Sequence, residues 1–446
     1  MDLDLDDRGV IRAKRRLQAF FDRDDLKRFK LERQVGEGAF GTAWKVSYRP
    51  YTEEEVRARA GDQLLEFLPQ PEVPEVQHII LKTSKVAALY YKDSAIKSWP
   101  EDDDEDSQED APLDPFYANN SIANERRWLR KFRFSKHIVR LIEPALNPLN
   151  RKNLGLRRRL ARKDYIFMEY LENGTIGDFI TGINIMGGVS FVPNRFLWRC
   201  FLCLIRACIA MAWPPTEEDA EDGTSVIERA KAGDPSRIVH DDLHHFNLMF
   251  GPLVNDPNEP EHHPRIPPIK MIDFGSVFEK ENQSNNLLQP TAVTDNIYSI
   301  ARIMCSLIEL DNLAAFMMSP GQAGPGSFEA YPGGPQMLTT ATNLLVPAAP
   351  GAGPNRFPRL DPLLRATVCA CAAPDPNQRP RLRSLADTAR AAVRERDEHF
   401  YATVLGDPKA SEESDADLEW FVNTFLLSAP VTEEQEEVGE ASEVDM

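Results

Sequence analysis

Val239-His240-Asp241-Asp242-Leu243-His244-His245-Phe246-Asn247, followed after a gap by Ile272-Asp273-Phe274-Gly275, decides how this chain of 446 residues is read. Asp242, Asn247 and Asp273 supply a carboxylate, an amide and a second carboxylate. All three offer oxygen donors, which suit a hard cation. His240, His244 and His245 share the run, but the oxygen donors among them outweigh a histidine metal cluster.

Composition narrows the classes of function. A hydrophobic fraction of 42% is ordinary for a globular protein. The net charge of −18 opposes general nucleic-acid binding, which needs a basic face, and docking on an anionic membrane. The six cysteines have no disulfide-like spacing. Cys200 and Cys203 fall in an apolar run, so reduced core thiols are expected rather than a zinc site. The opening Met1-Asp2-Leu3-Asp4 is acidic where a secretory signal is basic and then apolar. Phe196 to Trp213 is the most hydrophobic segment. Arg199 and Arg206 interrupt it, so a buried helix with a polar stripe is expected rather than a membrane span. The expectation is an intracellular protein, cytoplasmic or nuclear.

Along the chain, Val10 to Lys30 reads as an amphipathic helix with Leu17, Phe20, Phe21, Leu26 and Phe29 on its apolar side. Trp44, Val46 and Tyr48 alternate with Lys45 and Ser47, as in a strand. His78 to Leu81 is an apolar run rising to Lys82. Ser121 to Phe132 reads as a helix and Tyr165 to Tyr170 as a buried strand. Beyond the Asn173-Gly174 break the pattern is mostly helical. Polar, Pro-rich or charged stretches read as solvated insertions. They include Tyr51 to Glu75, the acidic run Glu101 to Asp106, the basic Leu149 to Lys163, Pro214 to Arg237, Pro252 to Pro268 and Ser319 to Pro354. The boundaries that follow are a helical extension over 1–30, a strand-rich region over 31–171, a helical region over 172–405 and an acidic tail over 406–446.

Val35-Gly36-Glu37-Gly38-Ala39-Phe40-Gly41 fits G-x-G-x-x-G. A dinucleotide fingerprint has the same glycines but opens a helix. Here Thr42 to Val46 alternates like a strand. The run is therefore read as a strand–turn–strand lid, whose backbone amides approach nucleotide phosphates.

Taken in order, these segments resemble the protein kinases, over roughly Leu31 to Ala389. The loop at Asp242 is similar to H-R-D-L-x-x-x-N, and Asp273-Phe274-Gly275 matches D-F-G. The resemblance implies an α+β fold of two lobes, a small β-rich N-lobe and a larger helical C-lobe. It implies an ATP- and magnesium-dependent protein kinase that transfers the γ-phosphoryl group to a protein hydroxyl, serine or threonine. Lys82 stands in the place of the V-A-I-K lysine, with Glu125 as its partner. Asp242 becomes the catalytic base, and Asn247 and Asp273 become the magnesium ligands. Gly36, Gly38, Gly41, Ala43, Ile80, Met168, Glu169, Leu171 and Met249 line the nucleotide site. Ala43 and Ile80 are expected to face one another over the adenine ring, small and large exchanged. Asp295, in Thr294-Asp295-Asn296, is expected to hold the catalytic-loop backbone. Asp375 to Pro380 resembles the D-P-x-x-R-P turn.

Two substitutions and a gap depart from the family. Asp241 replaces the H-R-D arginine, and His244 replaces the lysine that steadies the γ-phosphate. That loop looks more like small-molecule phosphotransferases. No A-P-E follows Gly275, so Arg379 is expected to lack its glutamate. The alternatives are a nucleotide-binding pseudokinase scaffold and a small-molecule phosphotransferase. The long inserts resemble divergent kinase-like proteins of filamentous fungi.

Overall fold

Alternation of side chains across a strand builds the sheet. Strand β1 (Phe29–Glu37) buries Phe29 and Leu31, and β2 (Gly41–Tyr48) buries Trp44, Val46 and Tyr48. Strand β3 (Gln77–Ser84) buries Ile79 and Leu81. With Leu17, Phe21, Tyr165 and Phe167 they form one apolar core. Each such side chain contributes roughly 1.5–3 kcal/mol on burial. Helix α1 (Ile122–Lys131) places Ile122, Glu125, Trp128 and Leu129 on its buried side. Strands β4 (Leu141–Ile142) and β5 (Tyr165–Glu169) complete a five-stranded antiparallel sheet of order β1-β2-β3-β5-β4. Two register shifts in β1, at Leu31/Arg33 and Gln34/Gly36, fall just before the glycine-rich turn.

The structure is a computed structural model. It describes residues 27–37, 41–50, 76–84, 122–144, 165–220, 225–254, 265–281, 291–318, 324–329, 334–346, 354–405 and 411–428, with single positions among 14–24, 52–55 and 147–149. Gly38, the acidic run at Glu101 to Asp106, the basic stretch at Arg157 to Arg159 and the end of the acidic tail lie outside the described residues. The chain divides into two compact units. One comprises Met1–Tyr170, Pro215–Ser225 and Asp273–Phe278. The other comprises Leu171–Pro214, Val226–Ile272 and Glu279–Met446.

The first unit corrects the N-terminal helix. Described helical positions lie between Lys14 and Phe21, and Phe29 already belongs to β1, paired with Tyr48. The Phe29 ring lies 5.4 Å from that of Phe21, so a sheet residue and a helical residue share the apolar side first assigned to one helix.

In the second unit, α2 (Ile176–Met186) starts on a capping box of Thr175 and Asp178. Helix α3 (Asn194–Ala212) is buried on nearly every side, including Arg206. Strand β6 (Ile238–His240) leads into the Asp242 loop, and β7 (Leu248–Phe250) pairs antiparallel with β8 (Ile269–Met271). Helices α4 (Thr291–Glu309) and α5 (Leu382–Glu395) pack against α3. All six cysteines are free and buried. Among the described residues no helix is long and apolar enough to cross a membrane.

Part of the expected acidic tail is folded. A turn at Ser411–Glu413 precedes α6 (Asp415–Val422) and a π turn at Asn423–Leu427. Leu418, Phe421, Val422, Phe425 and Leu426 are buried, and the Phe421 ring lies 5.5 Å from Phe196. Helix α3 begins after Pro193, which makes no side-chain cap. Glu413 supplies one instead, accepting the amides of Asn194 at 2.6 Å and Arg195 at 3.1 Å. Buried apolar positions between the acidic ones override the composition. Among the described residues, a small five-stranded antiparallel sheet, three two-stranded sheets and many helices make the fold α+β.

Candidate functional site

In the first unit, side chains from three distant segments meet. The Lys82 ammonium lies 2.8 Å from Glu125 Oε2 and 2.9 Å from Asp273 Oδ1. Lys82 and Asp273 are 191 residues apart in the chain. Lys82 stands on the face of β3 opposite Ile79 and Leu81, where Glu125, in the first turn of α1, reaches it. Burial works to lower the Lys82 pKa, but Glu125 and Asp273 outweigh it and hold the ammonium above its usual value. Burial pushes the Glu125 carboxyl up, with Lys82 opposing and Asp273 adding to the rise.

Asp273 adopts a left-handed backbone, with φ 58° and ψ 72°. A non-glycine residue held there costs about 1–3 kcal/mol, and such strain gathers at functional sites. Its neighbours fix it. Asn124 donates from Nδ2 to the carbonyls of Gly275 at 2.8 Å and Val277 at 2.9 Å. Phe274 is fully buried, 5.4 Å from the Phe132 ring. Asn124 escaped the sequence reading. Its only signal is an amide on the buried face of α1, directly before Glu125.

Around the glycine turn, Gly36 pairs with Ala43 and Gly41 with Ser84. Ala43 lies opposite Lys82, and Ile80 lies opposite Lys45. Ala43 and Ile80 therefore share a face as diagonal neighbours, not as the facing pair expected. A displacement of two residues along antiparallel strands keeps the face but separates the Cβ atoms. Met168 is buried across from Ile80. The Glu169 amide donates to Arg140 O at 3.0 Å, and its carboxylate accepts the Arg140 amide at 2.7 Å. That amide is engaged within the first unit.

In the second unit, the Asp242 carboxylate is 58% exposed. Asn247 is buried and donates from Nδ2 to Asp242 O at 2.8 Å. The Asn247 carbonyl accepts the amide of Ile272, the residue before Asp273, at 2.9 Å. His244 Nδ1 accepts the Phe246 amide at 3.2 Å, and its Nε2 lies 3.2 Å from Asn247 Nδ2 and 3.4 Å from Asp242 Oδ1. Met249 pairs with Lys270 and bridges to Thr175. Leu171 is buried at the start of this unit. Phe246 lies over Gly177 of α2, where an added Cβ would stand 2.3 Å from the ring.

Asp295 does not take its expected role. Asn296 does: its Oδ1 accepts the His240 amide at 3.1 Å, and its Nδ2 donates to Ile238 O at 2.9 Å. Asp295 instead pairs with Lys280 at 2.7 Å and lies 3.6 Å from Arg379. Arg379, expected to lack its glutamate, also donates to Thr294 O and Ala373 O, each at 2.9 Å, and stacks on Tyr298.

Asp273 in the first unit and Asn247 in the second each carry an oxygen donor of the hard kind that suits magnesium. Among the described residues no group of three His, Cys, Asp or Glu side chains is placed to hold a metal. No protein-family model matches the chain, and no curated protein matches it.

Proposed function

We propose that the chain is a two-lobed, protein-kinase-like phosphotransferase, moving the γ-phosphoryl group of ATP to a serine or threonine hydroxyl with magnesium. The convergence of Lys82, Glu125 and Asp273 carries this reading. A buried cation gripped by two carboxylates is costly to assemble, and here one of the two, Asp273, is held in a left-handed backbone. In this reading Glu125 orients Lys82 toward the α- and β-phosphates. Asp273 and Asn247 hold magnesium, which offsets charge on the phosphates when bound. Asp242 takes or orients the proton of the acceptor hydroxyl, and His244 steadies the γ-phosphate.

The test uses purified protein and labelled ATP, with generic protein substrates and autophosphorylation as readouts. Wild type is expected to transfer phosphate. Asp242→Asn is expected to lose turnover by roughly a hundredfold or more, with ATP affinity nearly unchanged. Equal transfer by both proteins sinks the enzyme reading. A magnesium-dependent thermal shift with ATP, but no transfer by wild type, favours the nucleotide-binding scaffold.

A further inference from the structure

Within the second unit, a band of apolar side chains runs from the Asp242 loop along α2. Phe246, Leu313, Phe316, Ile185 and Met186 are between 40 and 71% exposed. The Phe246 ring lies over Gly177 and 6.2 Å from the ring of His244, whose Nε2 is 3.4 Å from Asp242 Oδ1. After α4, Leu310 takes a left-handed backbone with φ 51°, and the chain then follows α2. Asn184 donates to Leu310 O at 2.9 Å. Asn312 donates to Thr181 Oγ1 at 3.0 Å and to Gly177 O at 3.3 Å. These bonds set Leu313, with Phe316 one turn on, toward the Phe246 end of α2. Ile185 and Met186 stand at its other end.

Single exposed apolar residues are ordinary, but a row of them marks a surface that binds another molecule. Its rim is acidic. Asp178, Asp241, Asp242 and Asp311 are exposed. Among the described residues no lysine or arginine pairs with any of them. Asp178 and Asp311 accept neutral donors, from Thr175 and Leu313, which leave their charge uncompensated. Arg302, half-buried on α4, gives its Nε to Ala315 O at 2.9 Å and offsets one of the four charges at most. From Gly177 to Met186, α2 covers about 14 Å, the reach of about four extended residues. We propose that this band docks the acceptor of the phosphotransferase, a protein segment with apolar side chains and a lysine or arginine near the hydroxyl presented to Asp242. The inference rests on the phosphotransferase reading and, within it, selects a protein acceptor over a small molecule.

The experiment is fluorescence anisotropy of the full chain with three short, labelled serine peptides at fixed ionic strength. One carries leucines and arginines beside the serine, one has glutamates for the arginines, and one has glycines for the leucines. Wild type is expected to bind the first roughly tenfold or more tighter than either of the others. The double variant Leu313→Ser with Phe316→Ser is expected to weaken the first peptide by roughly tenfold, with the thermal shift by magnesium and ATP unchanged. Asp241→Asn is expected to narrow the gap between the arginine and glutamate peptides and to keep the preference for leucine. Val404→Ser, an exposed position on the helix Glu398–Leu405, is expected to bind as wild type does. Circular dichroism checks that each variant is folded, and transfer from labelled ATP to the same peptides is measured alongside. Equal binding of the three peptides by wild type, or a first peptide held as tightly by the double variant, overturns the proposal whether or not phosphate is transferred. The expected binding pattern without any transfer keeps the docking surface and overturns the phosphotransferase reading.

Discussion

The side chain of Asn296 holds the main chain of His240 and Ile238. It accepts the amide of the first at 3.1 Å and donates to the carbonyl of the second at 2.9 Å. Asn296 is 2% exposed, so water cannot replace either bond. Asn296→Ala therefore leaves two buried main-chain groups without partners and is expected to cost about 2–4 kcal/mol. Asn296→Asp keeps the acceptor and loses the donor. Urea unfolding measures both, and a loss below about 0.5 kcal/mol for alanine contradicts the assignment.

Lys82→Met leaves Glu125 buried beside Asp273 without its cation. A loss of about 3–5 kcal/mol is expected, as for other buried pairs broken on one side. Glu125→Gln, which removes a charge and keeps the shape, is expected to cost less. The order of the two midpoints in chemical denaturation decides it. The reverse order means that Lys82, not Glu125, is the poorly solvated member.

Gly177 has room for no more than hydrogen beneath Phe246. Gly177→Ala is expected to destabilise by about 1–3 kcal/mol through overpacking, despite alanine's better helix propensity. In a Phe246→Ala background the same change should become neutral, or stabilising by about 0.5–1 kcal/mol. A double-mutant cycle reads the coupling. Additive effects would show that the ring moves aside freely.

Burial, then His244 and Arg302, lowers the pKa of His245 to about 4. The unfolded chain takes up this proton near pH 6.5, so between those values the unfolded state binds more protons than the folded one. Stability is then full above about pH 6.5 and falls as pH drops toward about 4, by on the order of 1–3 kcal/mol. His245→Phe should remove this part of the acid sensitivity. Unfolding at pH 7 and pH 5 checks it, and an equal drop in wild type and variant refutes it.

The sheet was open to reading because period two is written plainly in Trp44, Val46 and Tyr48. Lys82, Glu125, Asp242, Asn247 and Asp273 stood out because the order and spacing of their segments resemble protein-kinase motifs. Asn124 and Asn296 did not, since an amide on a helix reads as ordinary until its buried partners are seen. The choice between Asp295 and Asn296 turns on about 100° of helix rotation, finer than a single sequence resolves. Arg379 found carbonyl and ring partners that no local pattern announces. Phe29 suits the apolar side of a helix as well as a strand, and only its pairing with Tyr48 decides.

The Glu413 cap on α3 has a consequence for biosynthesis. The carboxylate that closes this helix is encoded 219 residues after Asn194. At roughly 5–20 residues per second it leaves the ribosome on the order of ten to forty seconds later. Through that interval the nascent helix presents bare amides at its start, and the apolar ring of Phe196 waits for Phe421. Maturation of the second unit is thereby tied to late translation, and a ribosome stalled before Glu413 would hold a chain whose central helix cannot yet be finished.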